Sequence, residues 1–90
     1  MPILRIPTPL RTYADGQTDV NLPGSTVGEL MNNLVVQYPS LRPHLFSGET
    51  QLRPFVNLFL NEDNIKDLQG MDTPLKESDR LMLIPSIAGG

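Results

Sequence analysis

The sequence predicts an α+β fold in which one amphipathic helix lies across one face of a mixed sheet. Three observations point there. Val27, Leu30, Met31, Leu34, Val35 and Tyr38 recur at three- and four-residue spacing, which puts them on one stripe of a helix. Residues 3–7, 55–60 and 81–85 are short, largely apolar runs, and 18–22 alternates with Val20 and Leu22 on one face; all four are set off by Pro, Gly, Asn or Asp, as strands are. Two of these runs precede the helix and two follow it, so a single sheet has to be assembled from both ends of the chain. A helix stripe and a sheet face each need a surface to bury against, and stacking them in two layers serves both.

In chain order, residues 3–7 form a first strand with Leu4 and Ile6 inward, and Pro7 and Pro9 end it or hold it near an edge. Residues 12–17 are a turn with Asp15–Gly16 as the hairpin signal, and residues 18–22 return antiparallel with Val20 and Leu22 on one face. Pro23–Gly24 closes that strand. Thr26 and Glu29 have capping-box spacing, in which each side chain satisfies a backbone N–H of the other residue. Gly28 costs the first helical turn about 1 kcal/mol relative to alanine. Pro39 stops the helix at Tyr38. Residues 39–54 are a long connection, with Leu41, Leu45 and Phe46 tucked down as a short helical turn and residues 47–51 mobile.

Residues 55–60 read as a strand with Val56, Leu58 and Leu60 on one face and Phe55, Asn57 and Phe59 on the other. Residues 61–64 are a turn, Ile65 begins a short return strand, and residues 68–75 turn around Gly70 and Pro74. Ser78–Asp79 leads into the last strand, 81–85, whose ladder pairing should stop at Pro85 because proline has no N–H. The first and last strands should pair in parallel at the centre, which is the β-grasp arrangement. Residues 1–85 are expected to form the domain, and residues 86–90, uncharged and ending Gly89–Gly90, a flexible tail with no conformation of its own.

Composition narrows the function. Ninety residues with 39% apolar content suit one core. A net charge of −3 with scattered Lys and Arg argues against a nucleic-acid or anionic-membrane partner. With no membrane-length apolar run and no signal peptide, a cytoplasmic location is the expectation. The absence of cysteine rules out a thiolate metal site and a cysteine nucleophile, and the single His44 has no metal-ligand or nucleophile partner at a suitable spacing. The acidic turn at 61–64 lacks EF-hand spacing. No catalytic and no metal residue is expected, and the chain is expected not to be an enzyme; His44 reads as solvent-facing or loosely packed.

The run Phe55–Val56–Asn57–Leu58–Phe59–Leu60–Asn61, the Pro74–Leu75 pair, Asp79, and the ending Leu83–Ile84–Pro85–Ser86–Ile87–Ala88–Gly89–Gly90 together resemble the ubiquitin-like sulfur-carrier family of MoaD and ThiS. The opening Ile6–Pro7–Thr8–Pro9–Leu10–Arg11 is most similar to the CysO branch, which serves cysteine biosynthesis. The resemblance covers essentially the whole chain. It implies that an E1-like activating enzyme, using its own ATP and Mg²⁺, adenylates Gly90, and that sulfur then displaces AMP to leave a C-terminal thiocarboxylate. The chain itself would bind no cofactor. The sulfur would pass to an acceptor enzyme such as a cysteine synthase or a molybdopterin synthase large subunit. Three alternatives use the same tail: the small subunit of molybdopterin synthase, a tRNA-thiolation carrier, and a protein modifier linked to lysines through Gly90.

Alternation supplies a partner surface. If Leu58, Leu60, Leu81 and Leu83 face the helix, then Phe59, Met82 and Ile84 face away from it beside the tail. An exposed apolar patch marks a partner site. Phe59, Met82, Ile84 and Ile87 are therefore the expected partner-binding residues, Gly89 and Gly90 the site of activation, and the free chain is expected to be a monomer.

Overall fold

The two ends of the chain meet in the middle of the sheet. In the computed structural model, which describes residues 1–47, 52–53 and 56–85, the strands are β1 (Ile3–Arg5), β2 (Asp19–Asn21), β3 (Val56–Leu60), β4 (Asp63–Asn64) and β5 (Arg80–Pro85). They form one five-stranded sheet in the order β2-β1-β5-β3-β4. β1 and β5 run parallel, with Leu4 opposite Leu81, and the other pairs are antiparallel. A parallel pair needs a crossover, and helix α1 (Val27–Gln37) lies in it. This is the β-grasp expected from the strand order. The β1–β2 hairpin bonds beyond its assigned ends: Ile6 donates to the Thr18 carbonyl at 2.7 Å and Leu22 to the Pro2 carbonyl at 3.1 Å.

The core lies between α1 and the sheet. Val27, Leu30, Met31, Leu34 and Val35 on the helix meet Leu4, Ile6, Val20, Leu22, Val56, Leu58, Leu81 and Leu83 from the strands, all buried. Leu60 and Tyr38 are partly buried against this cluster. α1 ends at Gln37, one residue before the expected stop, with Tyr38 as its cap and still bonded to the Leu34 carbonyl at 2.8 Å. At the other end Thr26 Oγ1 accepts from the Glu29 N–H at 3.2 Å. The return half of the capping box goes elsewhere: the Glu29 carboxylate accepts from the Ser25 N–H and hydroxyl, at 3.3 and 3.2 Å. Gly28 has a packing reason. A Cβ there would lie 3.1 Å from the Met71 carbonyl oxygen, so the 3₁₀ turn Gly70–Asp72 rests on the bare backbone of α1.

The connections depart most from expectation. Residues 8–14 are a 3₁₀ helix, Thr8–Ala14, in place of a simple turn at 12–17. Pro9 suits the first turn of a helix, and Leu10 and Ala14, four apart, both bury. Asp15 and Gly16, at φ 54° and 77°, cap that 3₁₀ helix; they do not link two strands directly. Ile65 belongs to a 3₁₀ turn, Ile65–Asp67, and the return strand is the polar pair just before it. Pro39–Leu41 and α2 (Arg42–Leu45) bury Leu41, Leu45 and Phe46 as expected. Of the expected mobile segment, residues 48–51 lie outside the described residues, as do Phe55 and the tail at 86–90.

Candidate interaction face

Only one face of the sheet is covered by α1; the other is open. Its centre is β5, and three contacts set the phase of that strand. Asn61, in the left-handed region at φ 58°, bonds through its N–H to the Arg80 carbonyl at 2.8 Å. Its side-chain oxygen accepts from the Arg80 N–H at 3.4 Å, and its amide nitrogen reaches Asp79 Oδ1 at 3.5 Å. Asp79 Oδ2 in turn accepts from the Lys76 N–H at 2.8 Å. Thus pinned where it enters the sheet, β5 buries Leu81 and Leu83 against the core and turns Arg80, Met82 and Ile84 outward.

Met82 is 41% exposed and Ile84 40%. Phe59, half-buried, stands directly opposite Met82 on β3, and Ile84 stands opposite Asn57. Opposed side chains in such a pair approach to about 5 Å, so Phe59 and Met82 are cross-strand neighbours, and Ile84, two residues further along β5, extends the apolar strip. The structure therefore gathers Phe59, Met82 and Ile84 on the open face. Ile87, Gly89 and Gly90 lie outside the described residues.

The site also holds residues not singled out from the sequence. Arg5 is opposite Met82 on β1, and Ile3 is opposite Arg80. A groove of about 270 Å³ runs between Ile3, Arg5, Arg80 and Met82, with Asp19 and Glu62 at its two sides. A second, of about 280 Å³, continues past Arg5 and Met82 to Pro7, Thr8, Arg11 and Ile84. The same alternation that exposes Met82 exposes these: if Leu4 and Ile6 point in, Ile3 and Arg5 point out.

Among the described residues no group of three acidic, histidine or cysteine side chains could hold a metal. His44 is remote from the face, half-buried and stacked on Tyr13 with ring centroids 4.1 Å apart. No helix among the described residues is long and apolar enough to cross a membrane.

A five-stranded sheet of this order with one helix across one face is the β-grasp of ubiquitin-like proteins. The match to the ThiS family spans residues 4–90, and the chain belongs to that family. It is 31% identical over 87 residues, 94% of each chain, to the sulfur carrier protein CysO of Mycobacterium tuberculosis. Among solved structures it is similar to a chain of the Amycolatopsis orientalis BexX/CysO complex, with TM-score 0.89, 29% identity and full coverage of both chains. It is equally similar to small archaeal modifier protein 1 from Methanosarcina acetivorans, with TM-score 0.88, 29% identity, and coverage of 99% of this chain and 95% of that one.

Proposed function

We propose that this chain is a sulfur carrier of the CysO kind, not itself a catalyst, serving cysteine biosynthesis. The observation that carries the reading is the apolar strip Phe59–Met82–Ile84 on the strand that leads directly into Ser86–Ile87–Ala88–Gly89–Gly90. A partner that grips this strip has residues 86–90 beside its own active site. Full-length similarity to a sulfur carrier supports the same reading.

The chemistry follows from the tail. A carboxylate is a poor electrophile. An oxygen of the Gly90 carboxylate attacks the α-phosphorus of ATP in an E1-like enzyme, pyrophosphate leaves, and an acyl-adenylate forms. Sulfide attacks the acyl carbon, AMP leaves, and the product is a thiocarboxylate whose sulfur is nucleophilic. ATP and Mg²⁺ belong to the activating enzyme. The chain contributes an apolar handle, Phe59, Met82 and Ile84, on the 1–85 domain, and a tail of residues 86–90 in which Ile87 offers the partner a further apolar side chain. Gly89 and Gly90, lacking Cβ, let a narrow channel close on the backbone from both sides. An acceptor enzyme such as a cysteine synthase then receives the sulfur.

A second reading is favoured by the similarity to an archaeal modifier protein: the same adenylate is captured by a lysine amine, giving an isopeptide bond. Intact mass separates the two. After incubation with ATP, the activating enzyme and sulfide, the carrier gains the mass difference between one sulfur and one oxygen, whereas the modifier yields larger conjugates. Deleting Gly90 is expected to abolish ATP–pyrophosphate exchange; normal exchange by that variant would overturn both readings.

A further inference from the structure

The open face is not uniformly apolar: it carries arginines that have no ion-pair partner among the described residues. Arg5 and Arg80 project from adjacent central strands on either side of Met82, one residue along β1 and β5 from the inward pair Leu4 and Leu81. Both are exposed, and among the described residues neither guanidinium has a hydrogen bond or an ion pair. Arg5 stands directly across from Asp19 on β2, yet the two do not close a contact. Arg11, which lines the second groove, donates from its Nε to the Ile6 carbonyl at 3.0 Å. Three of the seven Lys and Arg of a chain with net charge −3 thus line one continuous trough. Acidic residues flank only the first groove, and none lines the second.

We propose that this trough selects a protein partner whose docking surface carries carboxylates opposite Arg5 and Arg80 and an apolar group over Met82. The inference rests on the carrier reading and specifies the chemistry of what grips the face. Cations on an apolar floor are satisfied by carboxylates set among apolar side chains, and two unpaired guanidiniums left in a dry interface would oppose docking. A nucleic-acid backbone would answer the arginines but leave Met82 and Ile84 uncovered, against the repulsion of a negative chain. The charges do more than hold: exposed, unpaired arginines on an otherwise negative molecule orient it as it approaches an acidic surface, so their signature is in the association rate and its salt dependence.

The test uses the full chain and the adenylating enzyme encoded in the same genome. Native chain, Arg5→Glu, Arg80→Glu and the charge-matched Lys66→Glu, which lies outside both grooves, are compared for binding at low and high salt and for ATP–pyrophosphate exchange. Arg5→Glu and Arg80→Glu are each expected to weaken binding by about tenfold or more, mainly in association rate, and to flatten its salt dependence. Lys66→Glu should behave as native. Arg5→Ala and Arg80→Ala should fall between, and circular dichroism melts should show all variants folded. If the native chain is activated but Arg5→Glu and Arg80→Glu match Lys66→Glu, the acidic-partner proposal is wrong and the carrier reading stands. If the native chain is not activated at all, the carrier reading itself fails. Arginine-dependent binding to a mixed tRNA pool, or an arginine-dependent dimer in sedimentation, with activation unaffected, would also overturn the proposal.

Discussion

Leu34 sits at the middle of the α1 stripe and has no exposed surface. Replacing it with alanine removes three buried carbons and leaves a cavity that a helix clamped at both ends collapses only in part. Leu34→Ala is expected to cost roughly 2–5 kcal/mol in urea unfolding; a loss under about 0.5 kcal/mol would mean that α1 is rotated about its axis and Leu34 faces water. The position was legible because a helix repeats its environment every three to four residues, and six apolar residues shared that spacing. Gly24 illustrates what was not. Read from sequence, it ends a strand. In the fold a Cβ at Gly24 would lie 2.8 Å from the Leu30 backbone nitrogen, so the glycine is there because α1 crosses directly over it. Arg5 and Arg80 are similar: alternation places them on the open face, but their shared trough depends on β1 and β5 being neighbours.

At the scale of elements, strand alternation decides which substitutions reach the partner and which reach the core. Along β5, Leu83 is 1% exposed and its neighbour Ile84 is 40% exposed. Leu83→Asp forces a carboxylate into the core with no partner and should abolish the cooperative melt. Ile84→Asp places the same charge in water in the free protein, so the melt should hardly move, but activation should fall strongly because the charge is desolvated when the partner docks. The reverse outcome, a tolerated Leu83→Asp and an unfolded Ile84→Asp, would show a register slipped by one residue. Elements with a period were legible: the helix stripe and the alternation of β3 and β5 follow from the spacing of apolar residues. Elements without one were not. The Thr8–Ala14 3₁₀ helix is capped by Pro7 and holds Pro9 in its first turn, prolines that read equally well as strand punctuation, and β4 is two polar residues that pair only because β3 is beside them. The Tyr13–His44 stack joins segments 31 positions apart, for which no local pattern exists. The return half of the capping box was misplaced by one residue because Ser25 offers the Glu29 carboxylate both a hydroxyl and an N–H.

At the scale of the whole molecule, the last strand holds the sheet together. Without β5 the sheet separates into the β1–β2 hairpin and the β3–β4 pair, which share no ladder. Removing β5 also takes Leu81 and Leu83 from the core and leaves β1 and β3 with unpaired edges. A chain ending at Asp79 is therefore expected to show no cooperative thermal transition, while a chain ending at Pro85 should melt at the midpoint of the full protein, since the described core closes at Leu83 and β5 at Pro85. The pairing of β1 with β5 joins residues far apart in sequence, so its loop-closure cost has to be met before that contact stabilises anything. This arrangement couples structure to the proposed chemistry in one direction only. In the proposed chemistry residues 86–90 would be activated and engaged by a partner without the domain opening, yet they follow directly on the strand that the fold can least do without. Calorimetry of the 1–85 and 1–79 chains beside the full protein checks this. A lower midpoint for 1–85 would show that residues 86–90 contribute to stability, and the separation of handle from tail would then fail.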